Sequence, residues 1–301
     1  RPMATLRDIK RKIDAVKKTQ QITRAMNMVA AAKLRTTQQK LDQFVPYATQ
    51  LTEIMNRVAA GVEPEGFPLL MPHEEVVKVE LISITADRGL CGAFNTNLIA
   101  TAGRFTEAKE QEGLEVSLTL LGRKGRDFYR RRKRPTRVFH EGMLNNPNMG
   151  DATTIGQEAT ELFLTHEVDE VYICYAQFIS MANQRPVVKK LLPIAPVTMG
   201  EEGEEGAEGA EDQELLEYIF EPSREGVLND LLPNYINLQI LEAFFQTAVS
   251  EHAARMAAMD NAVNNCKEMV RDLTLVYNKA RQAGITKELM DIVGGVEALK
   301  K

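Results

Sequence analysis

The stretch SEHAARMAAMDNAVNNCKEMVRDLTLVYNKARQAGITKELMDIVGGVEALKK, residues 250–301, decides the fold. Apolar or small side chains recur in it in alternating steps of three and four, at Met256, Met259, Val263, Cys266, Val270, Leu273, Tyr277 and Ala280. This spacing is typical of a helix that supercoils with a second helix. We expect a helix from about Asp230 to about Arg281, on the order of 75 Å long at 1.5 Å per residue. A helix of that length needs a partner.

The amino-terminal segment carries a matching seam. One unbroken three-four phase connects Leu6, Ile9, Ile13, Val16, Gln20, Thr23, Asn27, Ala30, Leu34, Thr37, Leu41, Phe44, Ala48, Leu51, Met55 and Val58. We therefore predict that the two terminal segments pair, with Leu51 close to Phe245.

Part of the amino-terminal seam is polar, and an apolar face lies beside it. The apolar residues Ile22, Met26 and Val29 each precede a seam residue by one position. They therefore lie about 100° round the helix from the seam. Two interpretations are open: this face contacts a third segment of the same chain, or it contacts a different subunit.

The middle of the chain changes period. Residues 61–72 carry three prolines and two glycines, which indicates a linker. Strands are predicted at Val76–Thr85, Leu114–Leu121, Thr136–His140, Val171–Phe178 and Val187–Ile194. Helices are predicted between them, one capped by Asn95, one over Arg123–Arg132 and one capped by Asp151. The alternation favours a parallel or mixed sheet covered on both faces.

The predicted fold class is α/β, with a long antiparallel two-helix coiled coil from the terminal segments and an inserted Rossmann-like α/β domain. The predicted parts are a coiled-coil helix (1–60), a linker (61–75), the α/β domain (76–200), an acidic disordered insertion (201–217) and a second coiled-coil helix (218–301). The insertion is acidic and glycine-rich, and it has little to bury.

Composition excludes several classes of protein. The chain has 301 residues and a formal net charge of −5, and no run of about twenty apolar residues would span a membrane. Its three cysteines lack the spacing of a zinc site, and its four histidines form no recognisable pairing. We expect no catalytic residue, cofactor or metal. Neither a secretory leader nor a transit peptide is apparent.

The loop from Thr85 to Asn95 joins a strand to a helix, where some folds hold phosphates. Gly89 and Gly92 give GxxG rather than GxGxxG, so a structural turn is favoured over nucleotide binding. An enzyme that uses Cys91 as nucleophile is a further alternative.

A basic cluster follows on the next helix and its exit: Arg123, Lys124, Arg126, Arg130, Arg131, Arg132, Lys133, Arg134 and Arg137. A coiled-coil scaffold that binds nucleic acid through this cluster is the alternative function, although no aromatic platform or recognition helix accompanies the charges. A solvated face, or one facing acidic protein or lipid headgroups, is favoured.

Three motifs resemble the gamma-subunit family of F-type ATP synthases. They are IKRKIDAVKKTQQITRAMNMVAAAKLR (9–35), DRGLCGAFN (87–95) and SEHAARMAAMDNA (250–262) with YNKARQAGITKELMDIVGGVEAL (277–299). They occur in family order from end to end of the chain. Ala86 and Val296 depart from the family pattern. The chloroplast insertion with paired cysteines is missing and no transit peptide is apparent, which together point to a bacterial protein.

The resemblance implies a non-catalytic central-stalk rotor subunit, present as one copy per complex. Ion flow through a membrane ring would turn this shaft, and the shaft would drive ATP synthesis or hydrolysis at the beta subunits. The implied partners are the alpha and beta subunits, the epsilon subunit and the c-ring, without nucleic acid. The implied location is the bacterial plasma membrane, peripheral and on its cytoplasmic side.

By position, the resemblance also implies contact residues. Those for the beta subunits are Met26, Arg255, Gln282, Thr286 and Glu288. Those for the membrane ring are Tyr218 and Glu221.

Overall fold

A computed structural model describes residues 5–59, 62–195 and 223–299 of the chain. The acidic tract 201–217 lies outside these residues. The helices are α1 (Leu6–Ala59), α2 (Phe94–Gln111), α3 (Arg123–Arg131), α4 (Met149–Leu164) and α5 (Arg224–Leu299). The strands are β1 (Lys78–Ile84), β2 (Glu115–Leu121), β3 (Val138–His140), β4 (Glu170–Phe178) and β5 (Gln184–Leu192). Short 3-10 turns occupy Pro64–Gly66 and Met143–Asn145.

The chain forms two compact units. The first combines the residues up to Ala32 with those from Arg255 onwards, and the second runs from Lys33 to Ala254. The predicted domains are consecutive ranges of the sequence, whereas these units are defined by contacts in space. The predicted domain limits therefore stay a prediction.

The first unit is a pair of helices from the two ends of the chain. Its seam is the predicted one: Ile9, Ala30, Met259 and Val263 are buried. Partly buried seam positions are Ile13, Val16, Gln20, Thr23, Asn27, Met256, Cys266, Val270, Leu273, Tyr277 and Ala280. The Nδ2 of Asn27 donates a hydrogen bond to the backbone oxygen of Met256, 2.9 Å away. A polar seam residue is thus satisfied by the partner helix, because a buried amide would otherwise lose its hydrogen bonds to water.

Helix α1 starts at a reciprocal cap. The amide of Asp8 donates to the hydroxyl of Thr5, and the amide of Thr5 donates to the Asp8 carboxylate. This is the arrangement of a capping box, with an aspartate in the position more often held by glutamate. The hydrogen bond from the Thr5 hydroxyl lowers the pKa of the Asp8 carboxyl.

In the second unit α5 is buried on nearly all sides from Tyr235 to Ala253. One side packs on α1, where the rings of Phe44 and Phe245 lie 5.5 Å apart. The expected neighbour of Phe245 was Leu51, so the predicted register is wrong by two helical turns. Another side reaches β4, whose Phe178 amide donates to the Gln246 side chain at 2.9 Å.

The sheet has the order β3-β2-β1-β4-β5. β1 is parallel to β2 and β4, β2 is parallel to β3, and β5 is antiparallel to β4. α2 and α3 share a buried cluster with the strands, which includes Leu81, Leu98, Leu118, Leu120 and Tyr129. The predicted mixed sheet and its five strands are confirmed, with shifted bounds.

Two predicted helix caps are wrong. The residue before α2 is Ala93, which makes no side-chain cap, and Asn95 already lies in the first turn. At α4 the capping side chain is Asn148, whose Oδ1 accepts from the Asp151 amide at 3.0 Å. In both cases the helix begins before the residue predicted to cap it, at Phe94 and at Met149.

Helix α5 is longer than expected at both ends. It begins at Arg224, continues through Pro233, and passes Gly294 and Gly295 before it ends at Leu299. The expected helix ended at about Arg281, before these two glycines. A glycine inside a helix costs only about 1 kcal/mol relative to alanine, so it weakens a helix without ending it.

Candidate functional site

The first unit carries all five residues expected to contact beta subunits. Met26 and Arg255 are both partly buried and stand next to the two residues joined by the Asn27–Met256 hydrogen bond. They therefore lie at one level of the helix pair. Beside them Ile22 is 61% exposed and Val29 is 58% exposed, so the apolar face predicted from the polar seam is present on the surface.

The other three expected contacts are far from the first two. Gln282, Thr286 and Glu288 are exposed, and Gln282 lies about 40 Å along α5 from Arg255 at 1.5 Å per residue. The hydroxyl of Thr286 donates to the backbone oxygen of Gln282 at 3.0 Å, an internal helix contact. The expected beta-contact residues therefore form two surfaces and not one site.

The end of α5 is an exposed apolar helix. Its side chains from residue 281 to residue 293 are exposed, except for the partly buried Gly284. Large apolar side chains among them are Ile285, Leu289, Met290, Ile292 and Val293, each at least half exposed. A contiguous apolar surface of this kind is typical of a binding surface, because water makes it unfavourable in isolation. We name residues 281–293 the α5 tip.

Tyr218 and Glu221, the expected ring contacts, lie outside the described residues. No helix in the described ranges is long and apolar enough to cross a membrane. Within the same ranges no group of three or more metal-ligating side chains is close enough to hold a metal ion.

The loop after β1 is occupied by structural contacts. The Asp87 carboxylate accepts from the amides of Arg123 and Gly142, each at 3.0 Å. The Asn95 side chain accepts from the Ala86 amide at 2.9 Å and approaches the Cys91 sulfur at 3.1 Å. Asn95 thus fixes the loop instead of capping α2. These contacts favour the interpretation of the loop as a turn.

Much of the basic cluster is engaged within the protein. Arg123 pairs with Glu141 at 3.0 Å, Arg126 pairs with Asp127 at 3.1 Å, and Arg134 pairs with Glu110. The guanidiniums of Arg126 and Arg132 lie over the rings of Phe139 and Phe128, at 4.5 and 4.1 Å. The three ion-paired arginines have less free charge for a nucleic-acid backbone, so the structure offers no observation that favours the nucleic-acid scaffold.

A buried polar hub was missed in the sequence. Glu80, in the middle of β1, has no exposed surface, and its carboxylate accepts from the hydroxyls of Ser117 and Thr119. Arg137 Nε lies 3.3 Å from Glu80, and a second nitrogen of the same guanidinium donates to Thr119 at 2.7 Å. A glutamate in the apolar run VVKVELISIT was the available signal, because a buried charge needs a partner.

Two buried side chains on the α2 side of the sheet, the Cys174 thiol and the Tyr129 phenol, have raised pKa values. Burial raises the pKa of the Cys174 thiol to about 12. Burial, together with the Cys174 thiol nearby, raises the pKa of the Tyr129 phenol to about 12. Both groups are therefore neutral at physiological pH.

We expect alkaline pH to destabilise the second unit through Cys174. An unfolded thiol titrates near pH 9, whereas the folded one titrates near pH 12. The stability is thus complete below about pH 9 and is lost as the pH rises towards about 12, since the unfolded state releases its proton first. Thermal unfolding from about pH 7 to about pH 11 measures this loss. Cys174→Ala should have a shallower pH dependence, and an unchanged dependence would contradict the assignment.

Comparisons with known proteins agree on one family. The family model described as ATP synthase matches residues 5–299. The ATP synthase gamma chain of Syntrophobacter fumaroxidans is 60% identical over 300 residues, covering 99% of this chain and 100% of that relative. The ATP synthase gamma chain of Syntrophus aciditrophicus is 46% identical over 299 residues, with 99% and 100% covered.

Solved structures show the same fold. A chain of the Euglena gracilis mitochondrial ATP synthase, in the OSCP/F1/c-ring assembly, has a TM-score of 0.63 at 21% identity, over 98% of this chain and 94% of that chain. A chain of the central stalk and c-ring of the Tetrahymena thermophila mitochondrial ATP synthase has a TM-score of 0.58 at 22% identity, over 80% and 99%.

Proposed function

Because the chain belongs to the ATP synthase gamma-chain family, we propose that it is the non-catalytic central-stalk rotor subunit of an F-type ATP synthase. In this role it couples ion-driven rotation of the membrane ring to ATP synthesis or hydrolysis at the beta subunits. One copy serves each complex, and the catalytic chemistry belongs to other subunits.

The observation that carries this proposal is the surface of the first unit. The paired helices satisfy each other along the seam, yet apolar side chains remain exposed beside it at Ile22 and Val29 and along the α5 tip. Each helix already packs against the other, and the pair still exposes apolar side chains. This is expected of a shaft that is enclosed by other subunits. The alpha and beta subunits are the proposed enclosure.

The asymmetry of this surface supplies a mechanism. Met26 and Arg255 lie at one level, and the contacts proposed on the α5 tip lie about 40 Å away along the helix. The exposed apolar side chains at the first level, Ile22 and Val29, belong to α1, whereas those of the tip belong to α5, so the two sides of the helix pair differ and each beta subunit around the shaft meets a different side. A subunit with several conformations shifts towards the one that binds its side best, so rotation changes the favoured conformation of each beta subunit in turn.

Charge supports the same arrangement. The first part of α1 carries exposed cations, Arg7, Lys10, Arg11, Lys12, Lys17, Lys18 and Arg24. The same segment has only two acidic residues, Asp8 and Asp14, so it is strongly basic. A basic shaft suits an acidic collar, because complementary potentials guide orientation without requiring tight contacts.

We also propose that Tyr218 and Glu221 contact the c-ring and that the epsilon subunit binds the second unit. The chain would then be a peripheral protein on the cytoplasmic side of the bacterial plasma membrane. Ring rotation would enter through these contacts and reach the beta subunits through the first unit.

Met26→Lys tests the proposed contact with a beta subunit. We expect the variant to assemble but to pump fewer protons per ATP hydrolysed, by about half or more. The reason is that a lysine ammonium in an apolar contact costs on the order of 2 kcal/mol or forms a new ion pair there. Proton pumping and ATPase activity are measured together in membrane vesicles that contain the whole complex.

Two control variants accompany it. Met26→Leu keeps the contact apolar and should keep normal pumping per ATP. Met181→Lys places the same charge on an exposed methionine in the turn between β4 and β5, and should also be normal. Unchanged pumping per ATP in Met26→Lys would count against the role proposed for this side chain.

A further inference from the structure

A groove between α2 and α3 is lined by none of the residues proposed to contact the beta subunits or the c-ring. Its volume is about 540 Å³, within the range of roughly 300–1,000 Å³ found for small-molecule sites. Helix α2 lines it with Thr96, Ile99, Ala100, Gly103, Arg104 and Glu107, and α3 and its exit line it with Phe128, Tyr129, Arg132 and Arg134.

The lining is positively charged. Three arginines face one carboxylate, that of Glu107. Arg134 is neutralised by Glu110. Arg104 donates to the Thr101 hydroxyl at 3.1 Å, a neutral partner. Across the described residues neither Arg104 nor Arg132 forms an ion pair, and these two guanidiniums outnumber the one carboxylate, that of Glu107, that lines the groove.

Arg132 is also held in place. Its guanidinium lies 4.1 Å from the centroid of the Phe128 ring, in the geometry of a cation–π contact. A planar guanidinium fixed by stacking loses less freedom when it binds a carboxylate or phosphate, and it can offer two parallel N–H donors.

The floor of the groove is apolar and open. Ile99 and Tyr129 are buried, and the Phe128 ring is partly buried beside them. At Gly103 a side-chain carbon would meet no atom within 4 Å apart from the neighbouring backbone of α2 itself. A ligand can therefore approach the α2 backbone at this glycine.

We propose that this groove binds a small molecule in which an oxyanion, a carboxylate or a phosphate, is joined to a compact apolar body. Arg132 and Arg104 bind the oxyanion, and the floor beside Gly103 holds the apolar body. Glu107 opposes the charge and keeps the affinity moderate. This function is separate from torque transmission, and its test does not depend on assembly of the ATP synthase.

The test is calorimetric titration of the full chain at low ionic strength. The probes are phenyl phosphate, benzoate, inorganic phosphate and neutral phenol. We expect saturable binding of phenyl phosphate, benzoate or both, tighter than that of inorganic phosphate or phenol. The stronger of the first two identifies the source of the oxyanion.

Substitutions locate the binding. Arg132→Gln should weaken it about tenfold, since a charge-assisted pair is lost, whereas Arg131→Gln, on an exposed neighbour outside the lining, should leave it unchanged. Glu107→Gln should tighten it. Gly103→Leu fills the open space on a helix that tolerates leucine better than glycine, and should abolish binding while circular dichroism shows the helices intact.

Three outcomes would overturn the proposal. The first is no saturable binding of phenyl phosphate or benzoate at millimolar concentration. The second is equal affinity for inorganic phosphate, which would mean that the apolar body contributes nothing. The third is unchanged binding in both Gly103→Leu and Arg132→Gln, which would place the probe elsewhere on the chain.

Discussion

Gly122→Ala is expected to destabilise the second unit by more than about 4 kcal/mol, an exceptional cost for a single methyl group. The glycine lies between β2 and α3 with φ at +99°, and an added Cβ would stand 2.0 Å from the backbone oxygen of Thr85. The Thr85 amide in turn donates to the Leu121 oxygen at 2.8 Å. Neither backbone can move without breaking the junction of β1 and β2. Calorimetric unfolding of the purified chain measures the loss.

Gly113→Ala is the control that has a positive φ without a steric clash. Gly113 has a φ of +87°, but a Cβ there would meet nothing within 4 Å. This variant should lose only the cost of the left-handed conformation, about 1–2 kcal/mol. If the two variants were equally stable, the close approach to Thr85 would not be the reason for a glycine at position 122.

Arg137→Met is the second large effect, with an expected loss of about 3–5 kcal/mol, because it leaves a buried carboxylate without its cation. Glu80 has no exposed side-chain surface, whereas the Arg137 side chain is 28% exposed. The exposed part of the guanidinium is screened by water, so the loss belongs at the lower end of that range. Urea unfolding of the purified chain measures it.

Two further variants test whether the loss in Arg137→Met comes from the buried charge of Glu80. Arg130→Met removes a 74% exposed arginine that lies 3.8 Å from Asp127, and it should cost less than about 0.5 kcal/mol. Glu80→Gln combined with Arg137→Met removes the charge and keeps a hydrogen-bond acceptor for Ser117 and Thr119, so it should recover most of the loss. The hub would have no electrostatic role if Arg137→Met cost no more than Arg130→Met.

The coiled-coil seam could be predicted because it depends on spacing alone. From Ile9 to Val58 the residues named from the three-four phase are buried or partly buried, and the exposed Ile22 and Val29 are those placed off the seam. Register is different. The register depends on which side chains of the two helices pack together, and the spacing within one helix does not show this. Phe245 packs against the ring of Phe44 and not against Leu51.

Helix ends could not be predicted as well as helix faces. Pro233, Gly294 and Gly295 are helix breakers by local preference, yet α5 continues through all three. Local preferences of about 1 kcal/mol for glycine are small beside the stability of a long helix. The cap at Asn148 was missed for a similar reason, since both Asn148 and Asp151 are good capping residues and only the backbone decides between them.

The candidate site divides in the same way. The apolar face at Ile22, Met26 and Val29 follows from the spacing, whereas its exposure does not, because contact with a third segment of the same chain was also open. The hub around Glu80 and the groove beside Gly103 join residues from different elements, and no spacing along the chain predicts them. Roles for Arg255, Gln282, Thr286 and Glu288 remain proposals drawn from the resemblance.

Rotation of this chain inside an assembled complex is the most direct test of the rotor function. A bead is attached through Thr154→Cys, an exposed position on α4, in a variant with Cys266→Ala to remove the partly exposed native thiol. With alpha and beta subunits immobilised, we expect unidirectional rotation of the bead that requires ATP and stops when ATP is withdrawn. A bead that stays fixed while the same complexes hydrolyse ATP at the normal rate would contradict the account.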